Sequence, residues 1–245
     1  MTAKVQKSAV SVALALAFAA SSAVATPTYV FNSTANSDVP SLTGFSTTGA
    51  MMDGMTVRVE FGTGGFESRT WADTGAFSGG ASGTGWSLTQ SGDTFVGIDA
   101  SVQGRWEFNI ASNVTLQIRR LTLTGNTGFT VFDVDTYDTC DYVGTIEGNC
   151  TGGSARGSRL RFADSALAAT VTYSDAVGIA GSSPLGDLFH TLEIDFGVDG
   201  IRTPFAFDQD TDNDSRINDV PEPGSIALAG LALLALGAVR RRRTR

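Results

Sequence analysis

The sequence predicts an all-β body, an antiparallel β-sandwich or jelly roll, and three observations predict it. Apolar residues recur with period two in segment after segment. Gly-rich turn sequence separates those segments. Amphipathic helical periodicity of normal length is scarce, and no fixed-period repeat is present. Short strands with one apolar and one polar face, joined by turns, suit an antiparallel arrangement better than a buried parallel sheet.

The first 25 residues stand outside that body. Lys4 and Lys7 give a positive start, Ala9 to Ala20 an apolar core and Ala23-Val24-Ala25 an A-x-A cleavage site. This is the order of a cleavable signal peptide, so residues 1–25 are expected to be removed and the mature chain to begin at Thr26. Export in turn implies an oxidising compartment.

The body follows, with residues 26–207 expected to form it. Met55, Val57, Val59 and Phe61 fall on one face of a strand, and Thr56, Arg58 and Glu60 on the other. The same alternation marks strands within 94–102, 105–110, 113–124, 128–136, 170–174 and 188–196. Residues 62–65, 78–85 and 152–154 are Gly-rich and read as turns, while Ser165 to Ala169 read as a short helical turn. Between the signal and the C-terminal tail the chain carries 24 acids against 10 bases, all of them Arg, a net of −14. Such a charge repels phosphates and anionic lipid and excludes a nucleic-acid role, while cations and neutral glycans remain open as partners.

Chemistry-bearing residues are few. Cys140 and Cys150 are the only cysteines, and in an exported chain a disulfide closing this short loop is the leading expectation. A metal site there would need more soft ligands than the one histidine supplies. That histidine, His190, alternates with Leu188, Leu192 and Ile194, so a hydrogen-bonded residue at a sheet margin is favoured over a catalytic base. No G-x-S-x-G elbow accompanies it. Glu193 and Asp195 share the polar face of one strand, about 7 Å apart at two residues of rise. Glu60, Glu67 or Glu107 on a neighbouring strand would complete a pair for glycoside hydrolysis, although two acids on a solvated face need no such explanation. Trp106 alternates with Phe108 and Ile110 and belongs to the core. Trp71 and Trp86 flank Gly-rich sequence and are the candidate platform for stacking sugar rings, with ordinary loop anchoring as the rival reading.

Residues 208–219 read as an acidic linker. Asp208, Asp210 and Asp212 fall at every second position, like the opening of a calcium loop, and are the candidate weak Ca²⁺ site. The run departs from that loop in having Asn213 where a glycine belongs and Asp219 where a glutamate belongs, which favours a solvated spacer.

The tail, 220–245, has three parts: Val220-Pro221-Glu222-Pro223, an uncharged Ala/Leu-rich run from Gly224 to Val239, and a basic stop at Arg240, Arg241, Arg242 and Arg243. The middle part predicts a single transmembrane helix of about 24 Å, with the arginines left cytoplasmic and the body outside. In that order the three parts resemble the PEP-CTERM sorting signal of Gram-negative bacteria. The resemblance implies recognition of Pro221, Glu222 and Pro223 by exosortase, an integral-membrane enzyme, and delivery to the cell surface or an extracellular polysaccharide matrix. It covers about a tenth of the chain and implies nothing about the body; a plain C-terminal anchor is the competing reading. The sequence as a whole thus points to an exported surface or matrix protein with a non-catalytic structural or glycan-associated body, anchored in the inner membrane before processing. The alternative is a surface carbohydrate-active enzyme built on paired carboxylates.

Overall fold

Cross-strand register converts the alternation into two sheets. The computed structural model describes residues 27–32, 47–94, 104–112, 115–125, 129–134, 157–179, 183–184 and 187–213. The expected signal peptide, the 140–150 cysteine loop and the C-terminal tail with its transmembrane helix lie outside the described residues. Among the described residues no helix is long and apolar enough to cross a membrane.

The larger sheet is built from β1 (Thr28–Phe31), β2 (Thr56–Phe61), β3 (Phe66–Thr70), β8 (Ile118–Thr124), β9 (Thr130–Asp133), β11 (Thr170–Ala176), β12 (Leu188–Asp195) and β14 (Thr211–Asn213). Its order is β1-β11-β12-β8-β2-β3; β9 pairs with the N-terminal end of β12, and β14 pairs with β9. The smaller sheet contains β4 (Ala72–Gly75), β5 (Ser78–Gly83), β6 (Trp86–Ser91), β7 (Trp106–Ile110), β10 (Arg161–Phe162) and β13 (Phe205–Asp208). Its order is β10-β13-β7-β6-β5-β4. A 3-10 turn, Gly49–Met52, precedes β2.

The apolar faces of the two sheets share one core. Val57, Leu121, Ile194 and Val171 from the larger sheet are buried together with Leu88, Trp106, Phe108 and Phe207 from the smaller. Rings hold the smaller sheet's inner face in register: Trp106 stacks on Phe207, Phe108 on Phe205, and Trp86 on Phe108. Because period two sends alternate residues to opposite faces, every apolar member of β2, β8 and β12 that points inward has a polar neighbour pointing outward.

Three expectations are corrected by this fold. β1 pairs with β11 in parallel, although the remaining strand pairings among the described residues are antiparallel. The two strands are distant in sequence, so no hairpin dictates their direction. The Gly-rich stretch 78–85 is mostly strand: β5 pairs with β6 across the two-residue turn Thr84-Gly85, where Gly85 has φ 78°. Gly79 fits there because a Cβ would collide with the Gly49 carbonyl and the Trp71 indole nitrogen, so the absence of a side chain lets the 3-10 turn close on β5. Residues 208–213, expected as a solvated spacer, are instead the end of β13 and all of β14. Gln209, Asp210, Thr211 and Asp212 among them are buried. Within 165–169 the backbone makes one turn, capped where the Asp164 carboxylate accepts the Ala166 N–H at 2.9 Å.

Candidate functional site

Two places in the body gather polar chemistry: the outer face of the larger sheet, and the crossover where the chain leaves β13 for β14.

On the outer face, register lines residues up in rows across the strands. One row runs Glu60, Arg120, Asp195 and Thr170; the next runs Arg58, Thr122, Glu193 and Thr172; a third runs Thr56, Thr124, Thr191 and Ser174. Arg120 is the hub. Its guanidinium lies 2.5 Å from Asp195, 3.3 Å from Glu193 and 3.6 Å from Glu60, while Arg58 bonds Glu60 at 2.9 Å. Burial pushes the Asp195 carboxyl up, but the Arg120 hydrogen bond and the Gly197 N–H outweigh it and hold the group below the usual range. Burial raises Glu193 and Arg120 opposes it, with Asp195 and Glu60 adding to the rise. The two acids singled out in the sequence are therefore brought together, with Glu60 as third partner, and their affinities for a proton are driven apart. Glu67 is elsewhere: its carboxylate caps the β5–β6 turn, accepting the Thr84 N–H at 2.9 Å and the Trp86 indole N–H at 3.0 Å. Glu107 is on β7, in the smaller sheet.

Removal of the hub has a defined expected cost. Arg120→Gln should lower unfolding stability at neutral pH by about 1 to 2 kcal/mol, because three carboxylates lose their shared cation on a partly exposed face. Asp195 is lowered in the folded state, so its contribution is present above its unfolded pKa and fades as pH falls through the folded value. The gap between variant and wild type should therefore shrink toward pH 3, as urea unfolding curves at several pH values would record.

The tryptophans are not a platform. Trp71 is fully buried against Trp106, with its indole N–H donated to the Gly49 carbonyl at 2.8 Å. Trp86 is 3 % exposed and forms one wall of an open depression of about 320 Å³, whose polar side chains include Ser87 and Asn109. A ring stacked on Phe108 on one face cannot offer two faces to sugar. Among the described residues the exposed rings are Phe66, Phe77 and Phe129, and Phe66 is already covered by the Arg58 guanidinium at 3.8 Å.

His190 is half-buried, and its Nε2 has no hydrogen-bond partner, so the expected margin hydrogen bond at that nitrogen is absent. Burial holds its imidazole below the ordinary range, with Asp175 opposing that shift. Asp175 sits in a left-handed kink of β11 at φ 59° and accepts a 2.7 Å bond from the Thr191 hydroxyl.

At the crossover, Asp208 separates from the other two acids of its run. It belongs to the smaller sheet and pairs with Arg105 at 3.2 Å. Gln209 is fully buried and links both sheets: the Tyr173 hydroxyl donates to its Oε1 at 2.6 Å, and its Nε2 donates to the carbonyls of Ser158 and Asp210 at 3.1 and 2.8 Å. Its own carbonyl accepts the Trp106 indole N–H at 3.1 Å. Past this point Asp210 and Asp212 enter the larger sheet beside β9. There they meet Asp133 and Asp187, two acids that the linear reading did not connect with the run. The available signal was Asp133 itself, a carboxylate inside the apolar run Val131-Phe132-Asp133-Val134 of a strand whose described residues are all buried. Among the described residues no group of three or more acidic, histidine or cysteine side chains is placed to hold a metal ion.

The remaining site residues, Val220, Pro221, Glu222, Pro223, Arg240 to Arg243, Cys140 and Cys150, lie outside the described residues. A protein-family comparison matches 219–243 to the PEP-CTERM protein-sorting motif. No curated protein and no solved structure matches the chain. On an all-β body of two packed sheets the chain thus carries, at its C-terminus, the PEP-CTERM sorting motif that exosortase recognises, which makes it an exported protein, membrane-anchored before processing.

Proposed function

We propose that this protein is delivered to the cell surface or extracellular matrix, where its body serves as a non-catalytic module lying against polysaccharide. The observation that carries this reading is the sorting motif at 219–243, which marks the chain as an exported exosortase substrate. The body suits it through the outer face of the larger sheet. There Thr56, Thr122, Thr124, Thr172 and Thr191 present hydroxyls in rows, and Arg58 and Arg120 hold Glu60, Glu193 and Asp195 in one ion-pair network. Such a face offers hydrogen bonds to a neutral glycan without a large desolvation cost from unpaired charge. The body is read as a β-sandwich, joined through its acidic C-terminal end to a membrane helix.

A second reading has one observation in its favour. Glu193 raised and Asp195 lowered is the kind of separation that a surface carbohydrate-active enzyme needs in its acid and its partner carboxylate. The Arg120 clamp accounts for the same separation as a structural ion-pair network, which is why the non-catalytic reading is preferred.

Two measurements on the full chain test the proposal. Replacing Pro221, Glu222 and Pro223 with Ala should leave export intact and block tail removal, because insertion reads hydrophobicity whereas processing reads the turn. Mass spectrometry of surface material decides it: wild-type protein still carrying Arg240 to Arg245 refutes processing. Recovered protein should then retain matrix polysaccharide without releasing reducing ends. Sugar release that disappears in Glu193→Gln or Asp195→Asn would establish the enzyme instead.

A further inference from the structure

We propose that the end of the body around Asn213, where Met51 and Phe129 stand exposed, is a docking surface for exosortase, held against the enzyme while the tail occupies its site. The inference rests on the reading of 219–243 as an exosortase substrate. Chain length is the first argument. β14 ends at Asn213, and Pro221 follows it by eight positions. Fully extended, eight residues reach about 26 to 29 Å, roughly the diameter of a small domain. An enzyme that holds Pro221, Glu222 and Pro223 therefore has the Asn213 end of the body within that reach, whatever path the intervening residues take.

Two uncharged side chains flank this tether point. The Asn213 side-chain amide donates to the Met51 carbonyl and, at 3.3 Å, to the Thr130 hydroxyl, so the 3-10 turn and the start of β9 meet at the end of β14. Met51 and Phe129, the residue before Thr130, are each 45 % exposed. Neither is a loose surface residue. Beside Met51, Met52 is fully buried and accepts the Thr211 hydroxyl on its sulfur at 3.7 Å, while a Cβ on Gly49 would strike the Gln90 carbonyl and the Gly79 nitrogen. The turn is thus pinned to the body with Met52 inward and Met51 outward. Phe129 holds a φ of 54°, the left-handed region that a bulky side chain resists. The Thr130 N–H, bonded to the Gly125 carbonyl at 3.2 Å, and the pairing of Thr130 with Asn213 fix the backbone on its C-terminal side. Strain is retained at a ring that stays nearly half in solvent, which points to a contact made outside the body.

Charge selects a protein partner over the bilayer. Between the signal and the tail the chain carries 24 acids against 10 bases, which repels an anionic headgroup layer, whereas an uncharged pair of side chains needs only a complementary apolar surface. Two such side chains make a weak contact on their own. Once the tail is held, however, the contact becomes intramolecular, and the short tether gives it an effective concentration high enough to keep it populated. Its effect is to lengthen the stay of Pro221, Glu222 and Pro223 in the enzyme's site.

The test uses the full chain in membranes that contain exosortase, with photo-reactive benzoylphenylalanine in place of Phe129, of Met51 or, as control, of Val198. Val198 is 78 % exposed and lies beyond the C-terminal end of β12, whereas β9 pairs with the N-terminal end. On irradiation, positions 129 and 51 should capture exosortase and position 198 should not. In a second arm, tail removal is timed by mass spectrometry. The Met51→Ser, Phe129→Asn double variant should lose its tail about five- to tenfold more slowly than wild type, the size expected for a lost apolar anchor. Its Tm should stay within a few degrees of wild type, since both side chains are largely exposed and Asn tolerates the left-handed backbone. Val198→Ser should be processed at the wild-type rate.

The docking surface is refuted if position 129 captures no exosortase, if position 198 captures as much, or if the double variant is processed as fast as wild type; tail removal itself would stand in each case. Capture of phospholipid alone at positions 129 and 51 would put the bilayer there and refutes it as well. Capture of exosortase by a chain whose tail is never removed would uphold the surface and refute processing instead. The capture arm keeps an aromatic ring at position 129, so it decides the matter even if the double variant fails to fold.

Discussion

Trp106→Ala is expected to be the most destabilising single substitution in the body. The ring is fully buried, lies 5.3 Å from Trp71 and 5.6 Å from Phe207, and donates its indole N–H to the Gln209 carbonyl at 3.1 Å. Loss of a buried Trp costs about 3 to 5 kcal/mol, and the two ring contacts and the orphaned carbonyl add to it. Against a whole-domain stability of about 5 to 15 kcal/mol, that removes a third or more of the total. Urea unfolding followed by near-ultraviolet dichroism measures the change, and Phe77→Ala, at a side chain 66 % exposed, is the control that should cost almost nothing. Trp71→Ala should behave like Trp106→Ala, since Trp71 shares the same contact. A Trp71→Ala protein that unfolds at the wild-type urea concentration yet no longer holds polysaccharide would restore sugar stacking at that position and contradict the burial argument.

Gln209→Leu should come next in size. The substitution keeps the volume and strips out the amide that bridges the sheets. It leaves the Tyr173 hydroxyl without its 2.6 Å acceptor and the Ser158 carbonyl without the Gln209 donor, while the Asp210 carbonyl keeps only the Asp133 N–H at 3.3 Å. Burial pushes the Tyr173 hydroxyl well above the tyrosine range, so it cannot escape by ionising. Each buried polar group left without a partner costs about 1 to 3 kcal/mol, and because the groups share one network the sum is not additive; about 3 to 5 kcal/mol is expected in total. The Gln209→Leu, Tyr173→Phe double variant should recover part of the loss, because Phe removes the orphaned hydroxyl. A double variant no more stable than Gln209→Leu alone would show that the Tyr173–Gln209 bond does not carry the effect.

Legibility in the sequence followed the range of each cause. The strands at 56–61, 106–110 and 188–195 were readable because period-two alternation is local and their inner faces are apolar, interrupted in the last only by His190. β5 was not, because Gly79 answers to Gly49 and Trp71, Gly80 to Leu88 and Thr89, and Gly83 to Glu67 and Trp86 rather than to a turn of their own. The Glu193, Asp195 and Glu60 cluster was readable, since alternation alone puts these acids on outward faces. Arg120, the residue that binds them together, had no local mark. Trp71 and Trp86 were misplaced for the complementary reason: flanking Gly suggests exposure, whereas each ring is covered by residues remote in sequence, Trp106 in one case and Phe108 in the other.

By itself the sequence determined that this is an all-β, strongly acidic, exported protein with a PEP-CTERM motif at 219–243, because alternation, charge and an address tail are written in consecutive residues. Only the tertiary structure decided where the acids go. Asp208, Asp210 and Asp212 look like one solvated run, yet the chain changes sheets between them: Asp208 is claimed by Arg105, and Asp210 and Asp212 are carried into a buried corner with Asp133 and Asp187. The difference is physical. Strand periodicity is set by the backbone of one residue and its neighbours, whereas the environment of a carboxylate is set by whatever strands the fold lays beside it, and those lie far off in the chain, 103 residues in the case of Asp208 and Arg105.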